Sequence, residues 1–98
     1  MSQFMVEFML PNDMTEAFVR KIPKHRAKVN QLMEQGKILS YALAADRSKL
    51  WCIIKAESEV EVIEIMAELP LIDYMQPSIN ELMFNNTVAL RLPMFTLN

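Results

Sequence analysis

The chain has 98 residues, of which 52% are hydrophobic and 22% are charged, and its formal net charge at pH 7 is −2. This composition fits one globular domain over 1–98 and excludes a largely disordered chain. The near-neutral charge and the scattered basic residues argue against nucleic acid as a partner, and no apolar run reaches the roughly 20 residues of a membrane span.

The single cysteine, Cys52, excludes an internal disulfide. No His/Cys spacing typical of zinc occurs, so we expect no metal. The N-terminus MSQFMVEFML has neither a basic leader nor a small-residue cleavage site, which predicts a cytoplasmic protein. Nine methionines and one glycine indicate an adaptable apolar surface rather than glycine loops built around phosphate.

The first half of the chain predicts a strand followed by a long helix. Residues 3–10 alternate as a strand that is apolar on both faces except at Glu7, so we expect both faces to be covered. Thr15 is a good N-cap and Gly36 a good C-cap for the helix, with Pro23 predicting a kink or a restart between them. The apolar stripe of this helix is Phe18, Ile22, His25, Val29 and Leu32.

The second half predicts a hairpin, a helix and a last strand. Strands at 38–44 and 50–56 flank an Asp-Arg-Ser turn. Ser58 and Glu61 form a capping box that opens a helix ended by Pro70, with Val62, Ile63, Met66 and Leu69 expected to face inward. A final strand follows over 74–84, where Pro77 requires an edge position.

The order β-α-β-β-α-β is that of an α+β, ferredoxin-like domain. This unit is complete without the apolar segment 85–98, which therefore needs a partner surface. We interpret 85–98 as a C-terminal arm on a neighbouring subunit, and we expect a second sheet to close the open sheet face. The chain is predicted to self-associate as a dimer or a larger ring.

Two segments resemble the muconolactone Δ-isomerase family. LPNDM follows the first strand and LPLIDYM, at 69–75, follows the second helix, where that family carries an LP-x-DM turn and an LP-x-x-x-YM segment. The resemblance covers most of the chain up to about Leu82 and implies the dimeric α+β barrel. It also implies proton transfer between two carbons of a small unsaturated lactone in aromatic-compound catabolism, without a cofactor.

Such a reaction requires an acid–base group and a polar anchor for the substrate carboxylate. We select His25, Glu7 and Tyr41 as the candidate catalytic residues. In the family this part of the helix carries a glutamate, so His25 would replace one acid–base group by another. Each residue also has a structural interpretation. His25 could be a core histidine with satisfied nitrogens, Glu7 a carboxylate at the barrel mouth that is paired with Lys or Arg or solvated, and Tyr41 an ordinary amphipathic core residue.

Arg47, Tyr74 and Trp51 are the candidate substrate-binding residues. Arg47 could hold a carboxylate or be solvated in its turn, Tyr74 could instead belong to a structural connector, and Trp51 could be a packing residue. Two other functions fit the same fold: a non-catalytic module that binds a small ligand or assembles a ring, and a cofactor-independent monooxygenase. The discriminating feature for the isomerase is that His25 and Glu7 open into one cavity.

Overall fold

A computed structural model of the chain describes residues 2–87. The elements are β1 (Ser2–Met9), α1 (Glu16–Glu34), β2 (Ile38–Leu43), β3 (Lys49–Ala56), α2 (Glu59–Met66), a short 3-10 helix (Ile72–Tyr74) and β4 (Gln76–Glu81). The predicted β-α-β-β-α-β order is therefore confirmed. The predicted arm 85–98 lies outside the described residues except for 85–87. No helix in the described part of the chain is long and apolar enough to cross a membrane.

The four strands form one antiparallel sheet in the order β2-β3-β1-β4. Both helices cover the same face of this sheet, because their buried side chains join one core cluster with alternate residues of β1 and β3. Phe4, Val6 and Phe8 belong to that cluster and oppose Ile54, Cys52 and Leu50 across the strand pair. The ferredoxin-like α+β fold is thus confirmed, with the apolar core on one side of the sheet.

Neither helix covers the opposite sheet face, although the Asn85 amide donates to the Gln3 side chain there at 3.1 Å. This face carries Met5, Glu7 and Met9 of β1 beside Trp51 and Ile53 of β3. Met9 is 44% exposed, whereas Ile53 is 8% exposed without belonging to the core cluster. Within one chain, the expected cover on both faces of β1 is therefore met on one face only.

Helix α1 follows the sequence signals closely. The Thr15 hydroxyl accepts a hydrogen bond from the Phe18 backbone N–H at 3.2 Å, which satisfies one of the free donors at the helix start. Gly36 stands just past the helix end with φ 77°, a left-handed conformation that glycine adopts without a Cβ clash. The restart predicted as one possibility at Pro23 is not observed, because α1 is a single helix through that residue.

Helix α2 begins at the predicted cap, since the Ser58 hydroxyl accepts the Glu61 backbone N–H at 3.3 Å. Its inward face differs from the prediction at one position. Ile63 is 50% exposed, and Ile65 is buried in its place. The prediction put the adjacent residues Val62 and Ile63 on one face, whereas the buried positions 62, 65, 66 and 69 follow the helical period of three to four residues.

The connection after α2 is longer than predicted. The helix ends at Met66 rather than at Pro70, and the buried Leu69 and Leu71 pack the crossover on either side of that proline. Tyr74 belongs to the 3-10 helix, so β4 begins at Gln76 and not at Tyr74. β4 is an edge strand, as Pro77 requires.

A bulge in β2 determines which way its tyrosine points. Ile38 opposes Ile54 on the core face, but Ser40 opposes Ile53 on the open face, so the alternation shifts between them. Tyr41 then opposes Cys52 and faces the helices. Bulges commonly re-aim a side chain in this way beside functional sites.

Candidate functional site

A cavity of about 820 Å³ lies between α1 and the hairpin end of the sheet. Its wall is mostly apolar, with a few polar side chains that converge from different elements, which is the usual make-up of a small-molecule site. The apolar lining comes from Leu10, Met14, Phe18, Ile22, Val29, Met33, Leu43, Leu50, Leu71 and Met75. The polar lining comes from His25, Arg26, Asn30, Tyr41 and Arg47.

Two of the predicted catalytic residues meet in this cavity. Nε2 of His25, on α1, lies 2.7 Å from the hydroxyl of Tyr41, on β2, which is hydrogen-bond distance. The two rings are tilted by 44° with centroids 6.1 Å apart, so the contact is made through the polar atoms rather than by stacking. We call His25 and Tyr41 the dyad.

Burial controls the ionisation of the dyad. His25 is only 3% exposed, and its burial lowers the pKa of the imidazole below the usual 6.5, which favours the neutral ring. Burial also raises the pKa of Tyr41 well above its usual value, with a smaller rise from Cys52 and an opposing effect from the Arg26 charge. At neutral pH the dyad is therefore a neutral imidazole beside a protonated phenol.

The second imidazole nitrogen is sealed off. Nδ1 of His25 is buried and has no hydrogen-bond partner within residues 2–87. Chemistry with a molecule in the cavity must therefore pass through Nε2 and the Tyr41 hydroxyl. Cys52, opposite Tyr41 in the sheet, stays a thiol, because burial raises its pKa to about 12.

Two arginines give the cavity a positive charge. Arg26 follows His25 on α1, and Arg47 lies in the β2–β3 turn with φ 63°, a left-handed conformation that is uncommon for a residue with a Cβ. Among residues 2–87, the cavity lining includes no aspartate or glutamate. Arg47, which the sequence predicted to bind substrate, therefore lines this cavity.

Glu7, the third predicted catalytic residue, is not in this cavity. It lies on the open sheet face, where it accepts a hydrogen bond from the Trp51 indole N–H at 2.9 Å and stands 3.8 Å from Lys49 Nζ. Since His25 is on the helix-covered side, the sheet separates the two groups within the chain. The predicted pairing of Glu7 with His25 is therefore not formed, and Trp51, predicted to bind substrate, accompanies Glu7 on the other face.

Tyr74, also predicted to bind substrate, lies beside the cavity without lining it. Its ring packs edge-on against Phe18 at 5.4 Å between centroids, and Lys21 Nζ lies 5.2 Å from the ring centroid. Tyr74 therefore supports a residue of the cavity wall, which agrees with the connector interpretation of the 69–75 segment.

Sequence reasoning missed Arg26 and Asn30. Their spacing of four residues places them on one side of α1, next to the stripe that carries His25. That signal was available, but it becomes informative only when the neighbouring wall is known to be Tyr41 and the hairpin. In the described part of the chain, no group of His, Cys, Asp and Glu could hold a metal ion.

The family model for muconolactone delta-isomerase matches residues 3–85, which span every strand and helix of the domain and the whole cavity. The chain belongs to the muconolactone delta-isomerase family. No curated protein sequence matches it.

One solved structure similar to this member of the family is 5-chloro-2-hydroxyhydroquinone dehydrochlorinase (TftG) from Burkholderia phenoliruptrix AC1100, in complex with 2,5-dihydroxybenzoquinone. The two are 18% identical in sequence, with a TM-score of 0.64 over 80% of this chain and 90% of the other. At that identity the likeness concerns the fold, and the family membership stands on the sequence match.

Proposed function

We propose that this protein transfers a proton between two carbons of a small unsaturated lactone or carboxylic acid, without a cofactor, in the catabolism of aromatic compounds. The observation that carries the proposal is the dyad, a 2.7 Å contact between His25 and Tyr41 in an apolar cavity with Arg47 at its edge. Membership of the muconolactone delta-isomerase family supports the reaction class. The aromatic-compound dehydrochlorinase of the same fold agrees with that kind of substrate.

In the proposed reaction the Tyr41 hydroxyl donates to Nε2 of His25. The Tyr41 oxygen takes the proton from the acidic carbon of the substrate as its own proton passes to Nε2, and the electrons of the broken C–H bond spread over the unsaturated system. Reversal at the distal carbon returns one proton to the substrate and one to Tyr41, so the dyad ends as it began. Burial lowers the pKa of His25 and so keeps its imidazole uncharged at neutral pH, which leaves Nε2 free to accept that proton.

The remaining polar groups have supporting roles in this proposal. Arg47 holds the substrate carboxylate, since guanidinium and carboxylate form strong charge-assisted hydrogen bonds. The Asn30 amide offers a neutral donor to the oxygen on which charge develops.

The test is an isomerase assay with muconolactone, following substrate absorbance and proton exchange by NMR. Tyr41→Phe should lower kcat by about 10²- to 10⁴-fold, the usual size of a lost acid–base step, with a smaller effect on KM. His25→Gln keeps an amide near the position of Nε2 but does not titrate, so it should lower kcat and abolish its pH dependence below neutrality. Tyr74→Phe removes the same hydroxyl outside the cavity and should retain wild-type turnover.

The outcome of the same assay separates the alternatives. Turnover that survives Tyr41→Phe would refute the role of the dyad. Folded wild-type protein that binds unsaturated acids without turning them over would favour the non-catalytic binding module, which agrees with a cavity lining that has no carboxylate among residues 2–87.

We also propose that the open sheet face packs against a second copy to close a barrel, and that 85–98 is an arm on a neighbouring subunit. The open sheet face carries the apolar side chains of Met5, Met9, Trp51 and Ile53, which supports packing against a second copy. Deleting 88–98 should lower the oligomeric mass in light scattering. An unchanged mass and stability would refute the arm.

A further inference from the structure

The cavity carries more positive charge than one substrate carboxylate needs. Arg26 and Arg47 both line it, and no acidic residue of the described part of the chain shares the lining. Because the protein as a whole carries a formal charge of −2, this positive lining is a local feature and not a general excess of cations.

Both arginines lack an ion-pair partner within residues 2–87, whereas two other cations of α1 are paired. Arg20 of α1 pairs with Glu16 at 3.0 Å, and Lys28 reaches Glu68 at 3.5 Å. The neighbours of Arg26 one helical turn away, at positions 22, 23, 29 and 30, are all uncharged.

Arg47 has an acidic neighbour that is engaged elsewhere. The Asp46 carboxylate accepts hydrogen bonds from the Ser48 backbone N–H at 3.0 Å and from the Ser48 hydroxyl at 2.7 Å. These bonds tie Asp46 into its own turn, which leaves the Arg47 guanidinium available to a ligand.

The two guanidinium groups approach the cavity from different places. Arg26 directly follows His25 on α1 and lines the cavity together with the dyad. Arg47 lies at the end of the hairpin, where the Leu10 backbone N–H donates to the Ser48 carbonyl at 3.0 Å. β2 ends at Leu43, two residues and roughly 7 Å beyond Tyr41, and Arg47 follows in the turn after it, so the two arginines are rooted at separate points of the cavity wall.

We propose that this cavity binds an elongated dianion, an unsaturated or aromatic body that carries two acidic groups, one held by Arg47 at the turn and the other by Arg26 beside the dyad. This rests on the proposed function in using the same cavity, and within the unsaturated lactones and carboxylic acids proposed there it specifies compounds with two acidic groups. Two separated guanidinium groups on an apolar wall are complementary to such a ligand, since each acidic group gains a charge-assisted partner while the body between them is desolvated.

The test is calorimetric binding of hexa-2,4-dienedioate and of its monomethyl ester, which differ in one negative charge but share the unsaturated body. The diacid should bind wild-type protein about tenfold more tightly than the ester, the size of one charge-assisted hydrogen bond. Arg26→Gln and Arg47→Gln should each reduce that preference to less than about twofold. Arg20→Gln, which removes an arginine of α1 outside the cavity, should retain it.

Circular dichroism and thermal unfolding establish that each variant is folded, so that a lost preference reports on binding. Equal affinity of the wild type for the two compounds, no binding of the diacid, or a preference that survives both arginine substitutions would overturn the inference. Binding does not require turnover. A diacid preference without isomerase activity would therefore refute only the proposed function, and activity without the preference would refute only the inference.

Discussion

Removing the Tyr41 hydroxyl should destabilise the fold through His25. Tyr41→Phe keeps the ring and its packing but leaves both nitrogens of a 3% exposed imidazole without a partner in the described chain. A buried polar group deprived of its partner costs about 1–3 kcal/mol. We therefore expect the free energy of unfolding to fall by about 2 kcal/mol, which for a domain of this size lowers Tm by roughly 8–16 °C.

Urea unfolding at neutral pH measures this loss, with Trp51 fluorescence and circular dichroism as probes and the protein concentration held constant. Tyr74→Phe is the matched control, because the Tyr74 hydroxyl has no hydrogen bond within residues 2–87, and its loss should cost less than about 0.5 kcal/mol. Equal losses in the two variants would show that the contact between His25 and Tyr41 contributes nothing to stability.

A double-mutant cycle isolates the contact itself. His25→Leu with Tyr41→Phe replaces both partners by apolar groups, which avoids the orphaned imidazole. The double variant should be more stable than the sum of the two single losses predicts, by about 1 kcal/mol. Additive losses would argue that the two side chains act independently.

Three further results are expected. Burial lowers the pKa of His25 below 6.5, so below that pH the unfolded chain binds a proton more readily than the folded chain does. The contribution of His25 to stability should therefore be constant above pH 6.5 and fall as the pH drops below it. Urea unfolding midpoints measured across this range should lose that dependence in His25→Leu. Glu7→Gln should change Trp51 fluorescence but leave kcat/KM within about twofold, because the sheet separates it from the dyad; a loss beyond tenfold would place Glu7 in the chemistry. Gly36→Ala meets open space, yet at φ 77° it should cost about 1 kcal/mol in thermal unfolding, and no loss would mean that the helix end relaxes.

Local signals predicted the elements well. Thr15 and Ser58 cap their helices because a side-chain oxygen satisfies backbone donors wherever a helix starts, and Gly36 ends α1 because left-handed backbone favours glycine. These effects act over three or four residues, so the sequence carries them. The errors, at Ile63, at the end of α2 and at the start of β4, fall where short apolar runs fit more than one register.

The candidate site depended on longer-range geometry. Alternation in β1 places Glu7 on the other face of the strand from Phe4, Val6 and Phe8. Both faces are apolar, so the sequence alone does not say which one the helices cover. Likewise, Tyr41 faces His25 only because the alternation of β2 shifts between Ile38 and Ser40.

The sequence by itself determined the order of the elements, their caps and the family, all of which depend on neighbours along the chain. Only the tertiary structure decided that His25 contacts Tyr41, 16 residues later in the sequence, and that Glu7 lies on the sheet face away from the helices. The reason is physical: a one-residue shift in a strand reverses every side chain after it, and the packing of the whole sheet against the helices selects the register.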